Sequence, residues 1–417
     1  MYLNRPELLQ GRNTILVIMI VLSSVFLFRV MMLHQEYLHF TQFDSKVVDA
    51  EVLRHYQKTK NSKTYDVLKL RIDGSIFYTT SYKKYEPLHY KTIMIKLFIK
   101  ELSFYEYLHT FYLPSHIIKI YHDRSQKENL INVIEKQHES KIIEEIYKAL
   151  FLAIPVSKEV RNSISALGVA HLLAISGFHL GLLSAIIFFI LKPILRYYYN
   201  SYTPYRHLNR DLFVIVSLLL FLYMWFLNFP PSLVRSYGMM IVGFILYDRG
   251  YKIISMQTLF VTVFVLLSLY PKLMLSMGFW LSVIGVFYIF LFLKIELKKR
   301  YQVVFLPLWI YIMMLPYSLY LFETFSYLHP FSTLLSSLFI LFYPLSILLH
   351  MIGWGAFLDN ELLWLLNSVS VQKVVLSDSI MIAFIVLSLL SIYNKKSRYI
   401  LVVFGSFITV GALYQIT

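Results

Sequence analysis

Cysteine is absent from the 417 residues. That excludes disulfides, a thiolate metal site and a cysteine nucleophile. It assigns no redox compartment, because both sides of a membrane tolerate a cysteine-free chain. Charge is scarce as well. Only 15% of residues are charged, against about 25% in a soluble domain. Acidic groups are the scarcer kind, with 24 Asp and Glu against 39 Lys and Arg, for a net charge of +15. No internal repeat is visible, so the inverted-repeat logic of many secondary transporters finds no support. No P-loop run occurs, so a resident nucleotide motor finds no support either. What the chain has in excess is apolar residues, at 58%, with a mean hydropathy of +0.60. Apolar runs of about twenty residues, the length of a transmembrane helix, recur to the C-terminus. A signal peptide would account for a single run only.

The first run covers residues 14–33. Arg5 and Arg12 precede it, which favours a cytoplasmic N-terminus. Phe28-Arg29-Val30-Met31 stands where a small-residue cleavage site would be, so residues 1–33 read as a tail and a retained span. Composition then changes. Residues 44–121 alternate apolar and polar positions, as in Asp66-Val67-Leu68-Lys69-Leu70-Arg71-Ile72, and Asp73-Gly74 signals a hairpin. Five short strands suit a small β-barrel such as an OB-fold over 34–124, and other small β-domains fit equally. Within a helical linker at 125–165, residues 127–152 read as one amphipathic helix. Leu130, Ile134, Ile142, Ile146 and Leu150 form its apolar stripe.

From 166 to 417 the chain reads as a polytopic domain. With the first span, this makes a mainly α membrane protein of about ten transmembrane helices carrying a small extracytoplasmic β-barrel. The spans fall near 14–33, 171–191, 211–228, 232–248, 253–270, 273–293, 302–322, 331–353, 377–393 and 399–415. Lys192, Arg196, Arg206 and Arg210 crowd one loop, and Lys294, Lys298, Lys299 and Arg300 another. The alternate loops hold little beyond Lys272 and Glu323. That alternation places residues 34–165 outside the cytoplasm. Lys395, Lys396 and Arg398 break the rule under simple counting. Residues 355–372 read equally as a short crossing, a re-entrant segment or a surface helix.

Three stretches are polar or small where a lipid-facing helix is neither. The first, 167–183, contains His171, Ser176, Gly177, His179 and Gly181. Polar groups at such depth either bond between helices or line a wet path, and both readings stand. His171 and His179 are eight apart without a nearby carboxylate, so the i, i+4 pattern of a zinc helix is missing and no metal is expected. The second, 229–240, has Pro230 and Pro231, then Ser232 as the expected N-cap, then Arg235 in the first turn. Arg235 either snorkels to the interface or attracts phosphate at an already electropositive helix end. The third, 271–282, sets Ser276, Gly278 and Ser282 on one small-residue face, which a packing seam explains first. In the β-region, Lys58, Lys60, Lys63, Lys83 and Lys84 lie among Tyr56, Tyr65, Phe77, Tyr78, Tyr82 and Tyr85. Such aromatics pack strands or stack bases.

These three stretches, in this order, resemble the ComEC family of competence proteins. The resemblance lies in His-Leu-Leu-Ala-Ile-Ser-Gly-Phe-His at 171–179, Pro-Ser-Leu-Val-Arg at 231–235, Tyr-Pro at 270–271 and Gly-Phe-Trp-Leu-Ser at 278–282. It covers about 145–350 well and the β-region more weakly. It implies an inner-membrane channel for single-stranded DNA in natural transformation, not an enzyme, with no cofactor. The implied partners are the strand, an extracytoplasmic DNA-delivery protein, membrane lipid, and a cytoplasmic helicase or single-strand-binding protein. The implied DNA path runs along His171, Ser176, Gly177, His179, Ser232, Arg235 and Ser282. Outer contacts are expected from Lys58, Lys60, Lys63, Tyr65, Tyr78, Lys83 and Lys84. Many members carry a metallo-β-lactamase-like domain. No His-x-His-x-Asp-His run occurs here, so the expectation is a short form without a nuclease. A transporter of another anionic polymer or lipid-linked substrate, or an intramembrane enzyme, is the alternative.

Overall fold

The computed structural model describes residues 11–416 apart from 61–62, 73–74, 84, 86–87, 89–90, 100–101, 122–125, 174, 203–204, 228 and 296. The expected Asp73-Gly74 turn, Arg5 and Lys84 lie outside the described residues. So do the side chains of Lys60 and Lys63. The chain forms two compact units, 13–136 with 264–276, and 137–263 with 277–417.

The smaller unit opens with α1 (Arg12–Phe40). Its sheet follows as β1 (Ser45–Lys60), β2 (Lys63–Ile72), β3 (Ser75–Ser81) and β4 (Thr92–Phe98). Then come α2 (Phe104–Leu108), β5 (Phe111–Tyr112), β6 (Ser115–Ile120) and α3 (Gln126–Glu135). The long β1 pairs with β4 along its first half and β2 along its second, bending at an irregularity between Val52 and Arg54. Period-two alternation sets the faces: Phe77 and Thr79 point inward while Tyr78 and Thr80 stay half-buried. Val52, Leu68, Leu70, Phe77, Ile93, Ile95 and Leu97 make the core.

The order is β5-β3-β2-β1-β4-β6. The expected barrel is therefore not closed by a ladder. β5 and β6 belong to one stretch of chain, but Leu113-Pro114 interrupts it, and proline has no N–H to donate. Side chains approach across the gap, with Thr79 Oγ1 2.8 Å from Ser115 Oγ. A buried pair, His55 Nε2 to Asp66 Oδ2 at 3.0 Å, ties β1 to β2. The Tyr85 N–H donates to Asp66 and the Leu88 N–H to His55 Nδ1, which pins the chain leaving β3. Residues 264–276 join this unit through α1: Ser268 Oγ donates to the Leu22 carbonyl and Arg29 Nε to that of Leu269.

The larger unit begins with α4 (Lys141–Leu152), α5 (Lys158–Ala166) and α6 (Ala170–Leu173). It continues with α7 (Gly177–Tyr202), α8 (Leu208–Phe226), α9 (Pro231–Asp248), the first part of α10 (Met256–Leu269), α11 (Met277–Leu293) and α12 (Lys299–Phe322). It ends with β7 (Thr324–Phe325), α13 (Ser332–Met351), α14 (Asp359–Asn367), β8 (Gln372–Lys373), α15 (Asp378–Leu390) and α16 (Lys395–Ile416). Among the described residues, α1, α7, α8, α12, α13 and α16 are long and apolar enough to cross a membrane, whereas α10, α11 and α15 are apolar but shorter.

Two expectations change here. The single amphipathic helix at 127–152 is two helices, α3 and α4, because the chain turns at 136–140. The turn resets the helical phase, so Ile143 is buried where Ile142 was expected, and Leu130 stays exposed. The span expected to start at 171 starts at Gly177, and His171 lies on the separate short α6.

Residues 355–372 find their place through pairing. β7 and β8 lie side by side, with Thr324 opposite Lys373. Everything between them, α13 and α14 included, is an excursion whose two ends lie side by side. At the other end of the bundle, Lys294 Nζ donates to the Ile392 carbonyl at 3.4 Å, and Arg398 Nε donates to that of Ser391 at 2.8 Å. Lys395, Lys396 and Arg398 thus share an end with Lys294, Lys298 and Lys299. Between the ends, Tyr288 on α11 bonds Ser388 on α15 at 2.7 Å, and Trp309 Nε1 on α12 donates to the Tyr288 carbonyl at 3.0 Å.

Candidate functional site where α6 and α7 meet α9 and α13

Local chemistry sets the break before α7. Ser176 precedes the first turn, and its Oγ accepts from the Phe178 N–H at 3.3 Å. The Ser176 N–H in turn donates to His179 Nδ1 at 3.3 Å. This is the reciprocal arrangement of a capping box, with an imidazole where Glu or Gln usually stands. Because Nδ1 accepts, the proton of the neutral ring resides on Nε2. That Nε2 is buried without a hydrogen-bond partner among the described residues. His179 is 0% exposed, edge-on to Tyr343 at 4.8 Å and to Phe339 at 5.2 Å between ring centres, both on α13.

α9 closes on this break. Ser232 is not its N-cap as expected. Pro230 caps the helix and Pro231 takes the first helical position, where its missing N–H costs nothing. Ser232 Oγ is thereby free to donate to the Ile175 carbonyl at 2.6 Å. A Cβ on Gly177 would lie 2.9 Å from Ser236 Oγ, so glycine permits the α7–α9 approach. Arg235, one residue away, is only 7% exposed, and its Nε has no partner among the described residues. A buried guanidinium nitrogen left unbonded costs more than an ordinary lost hydrogen bond.

α13 completes the group. His171 Nε2 lies 3.3 Å from Ser336 Oγ, and His171 itself is exposed. At the foot of α13 stands His329, buried, with Nδ1 3.3 Å from Tyr311 Oη and Nε2 unpartnered among the described residues. Gly168 faces it with φ +75°, and a Cβ there would come 2.8 Å from His329 Cε1. Both its conformation and the close approach demand glycine.

The structure therefore brings His171, Ser176, Gly177, His179, Ser232 and Arg235 into one region. No described contact joins Ser282, half-buried on α11, to them. Sequence reasoning missed His329, Ser336 and Tyr343. Each stands in an apolar helix entry or interior, and only the meeting of helices reveals it.

A second polar group, also missed, lies at the far turn of the α13–α14 excursion. His350 Nδ1 lies 2.6 Å from the Ser346 carbonyl, so it must donate. His138 Nε2 lies 3.0 Å from His350 Nε2. His138 Nδ1 faces both Asp359 oxygens, at 3.0 and 2.9 Å. His138 thus bridges His350 and the Asp359 carboxyl group. Tyr147 stacks on His138 at 4.7 Å. Burial raises the Tyr147 hydroxyl above its ordinary pKa, and the charge of Asp359 adds to the rise. Among the described residues no group of three or more His, Asp or Glu is arranged to hold a metal ion.

On the strands and beside them, aromatic rings lie next to cations. Lys58 is exposed opposite Tyr65, whose ring lies 6.0 Å from that of Tyr82. Cations sit 5.1 to 5.7 Å from ring centres in the pairs Arg54–Tyr56, Lys69–Tyr78, Lys83–Tyr85 and Lys119–Tyr121. Phe77 leaves the expected stacking set. It is 0% exposed and stacks on Phe111 inside the core, because its position on β3 points inward.

Apolar spanning helices that meet around a buried polar seam define a membrane protein. The family profile described as Competence protein matches residues 155–416. The chain belongs to that family, the ComEC-type competence proteins. A protein of Aquifex aeolicus (strain VF5), described as uncharacterized, is 26% identical over 176 residues, covering 40% of this chain and 39% of that one. The match thus spans well under half of that relative's length. No solved structure matches.

Proposed function

We propose that the chain conducts single-stranded DNA across the bacterial inner membrane, with the seam between α6–α7 and α9 as part of its path. The observation that carries this reading is the meeting of the 171–179 and 231–236 stretches. The two motifs that mark the family touch each other through Ser232 and Gly177. A strand with a charge at each phosphate cannot cross hydrocarbon, so its route must be polar. His171, Ser176, Gly177, Ser232 and Arg235 supply polarity and one fixed positive charge, while His179 holds the cap that shapes the turn. Ser282 has no assigned part.

The small unit fits the extracytoplasmic end. Its long β1 paired on both sides, and its parallel β3–β5 pair, support an OB-like reading. Half-buried Tyr65 and Tyr78 near lysines suit base stacking with phosphate neutralisation. Lys58, Tyr65, Tyr78 and Lys83 are its proposed contacts, with Lys60, Lys63 and Lys84 beside them in sequence. On this reading the N-terminus is cytoplasmic, residues 34–165 are periplasmic, and the driving force comes from an extracytoplasmic delivery protein and from cytoplasmic strand capture.

The test follows labelled DNA in cells lacking the chain and in cells carrying Arg235→Ala at normal membrane level. Loss of the chain should leave DNA held at the surface with no cytoplasmic entry. Arg235→Ala should lower entry at least tenfold, the worth of about 1.4 kcal/mol at one buried charge contact. Normal transformation without the chain rejects the channel. Full entry with Arg235→Ala rejects the role of that residue.

A further inference from the structure

A groove of about 830 Å³ opens between α7, α8 and α9, away from the polar seam. Phe188, Phe189, Phe213, Val216 and Met240 supply its apolar wall, and Lys192 and Arg196 lie at one end. Phe213 is held flat against Phe244 of α9, with ring centres 3.5 Å apart, so that wall is rigid. The two cations are one helical turn apart on α7. Lys192 Nζ lies 5.4 Å from the Phe188 ring centre, which draws its charge to the edge of the groove.

The neighbouring cations are already committed. Arg206 pairs with Asp211 at 2.9 Å and Arg210 with Asp248 at 3.0 Å. Among the described residues no carboxylate pairs with Lys192 or Arg196. From Ser184 to Arg196 the α7 side of the groove runs about 18 Å, twelve residues at about 1.5 Å each. One leaflet of the hydrocarbon core is about 15 Å deep. An apolar slot of one leaflet's depth, with two free cations at a single end, has the charge and length pattern of a phospholipid with an anionic head.

We propose that this groove seats one anionic phospholipid, its phosphate on Lys192 and Arg196 and an acyl chain against Phe188, Phe189 and Phe213. A DNA phosphate meets the same cations but gains nothing from the apolar wall, which is why lipid is the favoured occupant. The site does not depend on the proposed DNA path.

The probe is phosphatidylglycerol against phosphatidylcholine, offered together to the purified full chain and read by native mass spectrometry. The wild type retains phosphatidylglycerol preferentially. Each basic residue near an anionic head is worth about fivefold, so Lys192→Gln with Arg196→Gln lowers that preference about twenty-five-fold. Ala185 lines the groove and is exposed, so Ala185→Trp should fill the slot without disturbing packing and remove retention of both lipids. Three outcomes overturn the proposal. They are equal retention of the two lipids by the wild type, unchanged preference in the double variant, and displacement of phosphatidylglycerol by glycerol phosphate or by an oligonucleotide.

Discussion

At the residue scale, His179 illustrates how a polar group in an apolar run acquires a role. Its Nδ1 accepts the Ser176 N–H, and that bond alone explains a histidine at the third helical position. Gln can accept the same bond and Ala cannot. His179→Ala should therefore destabilise the chain by about 1 kcal/mol, the usual worth of a cap, and His179→Gln should restore most of it. Thermal unfolding in detergent reads both. If Gln is as damaging as Ala, the cap is not what the imidazole supplies. Asp359 offers a second case. Asp359→Asn disrupts the buried bonding between His138 Nδ1 and Asp359, at a cost of about 1–3 kcal/mol. The expected sign is a lower thermal midpoint with faster proteolysis around Gly353. An unchanged midpoint would show the pair to be dispensable.

At the element scale, termini decide more than interiors. α2 is a single turn, yet Ser103 and Glu106 close a full capping box at its start. The backbone N–H of Ser103 donates to the Glu106 carboxylate and holds its pKa below the ordinary glutamate range, with the Ser103 hydroxyl adding to the effect. A carboxyl with a lowered folded pKa stabilises above its unfolded pKa, and that contribution fades as pH falls through the folded value. In the wild type, the carboxyl resonance of Glu106 should titrate below those of the other exposed glutamates. In Ser103→Ala it should move up toward them. No movement would mean that the Ser103 hydroxyl adds nothing to the backbone bond. The turn between α3 and α4 makes the same point. The stripe from Leu130 to Leu150 follows one helical period on paper. The chain breaks at 136–140, where His138 turns inward to Asp359. No propensity in that stretch announces a partner more than two hundred residues away.

At the scale of the whole molecule, the two ends of the bundle explain the charge pattern. The β7–β8 pair sets the two ends of the excursion side by side, and α15 brings Ile392 back beside Lys294. The cluster at 395–398 then shares an end with the basic run at 294–299, as the positive-inside bias asks of loops on one side. A cysteine-free chain makes this easy to check, since every introduced thiol is the only one. Lys298→Cys and Lys395→Cys should react with an impermeant maleimide from the same side of sealed vesicles. Glu323→Cys and Gln372→Cys should react from the other. Labelling of Lys395→Cys together with Gln372→Cys would overturn the pairing of the ends.

The sequence by itself determined the membrane class, the β-rich insert at 44–121, the three marked stretches and the family. Each is written in local quantities: run length, alternation, and residue type at fixed spacing. Helix starts were only partly legible. A Pro-Pro-Ser string marks where α9 begins, but whether Ser232 caps its own helix or bonds Ile175 depends on what lies beside it. The tertiary structure alone decided the burial of His179, Arg235 and His329, the His138–His350–Asp359 chain, the inward face of Phe77 and the placing of residues 391–398 beside Lys294. All of these depend on contacts between segments distant in sequence. A hydrogen bond or a close approach across such a distance leaves no local trace, because either partner alone reads as an ordinary polar or small residue in an apolar run.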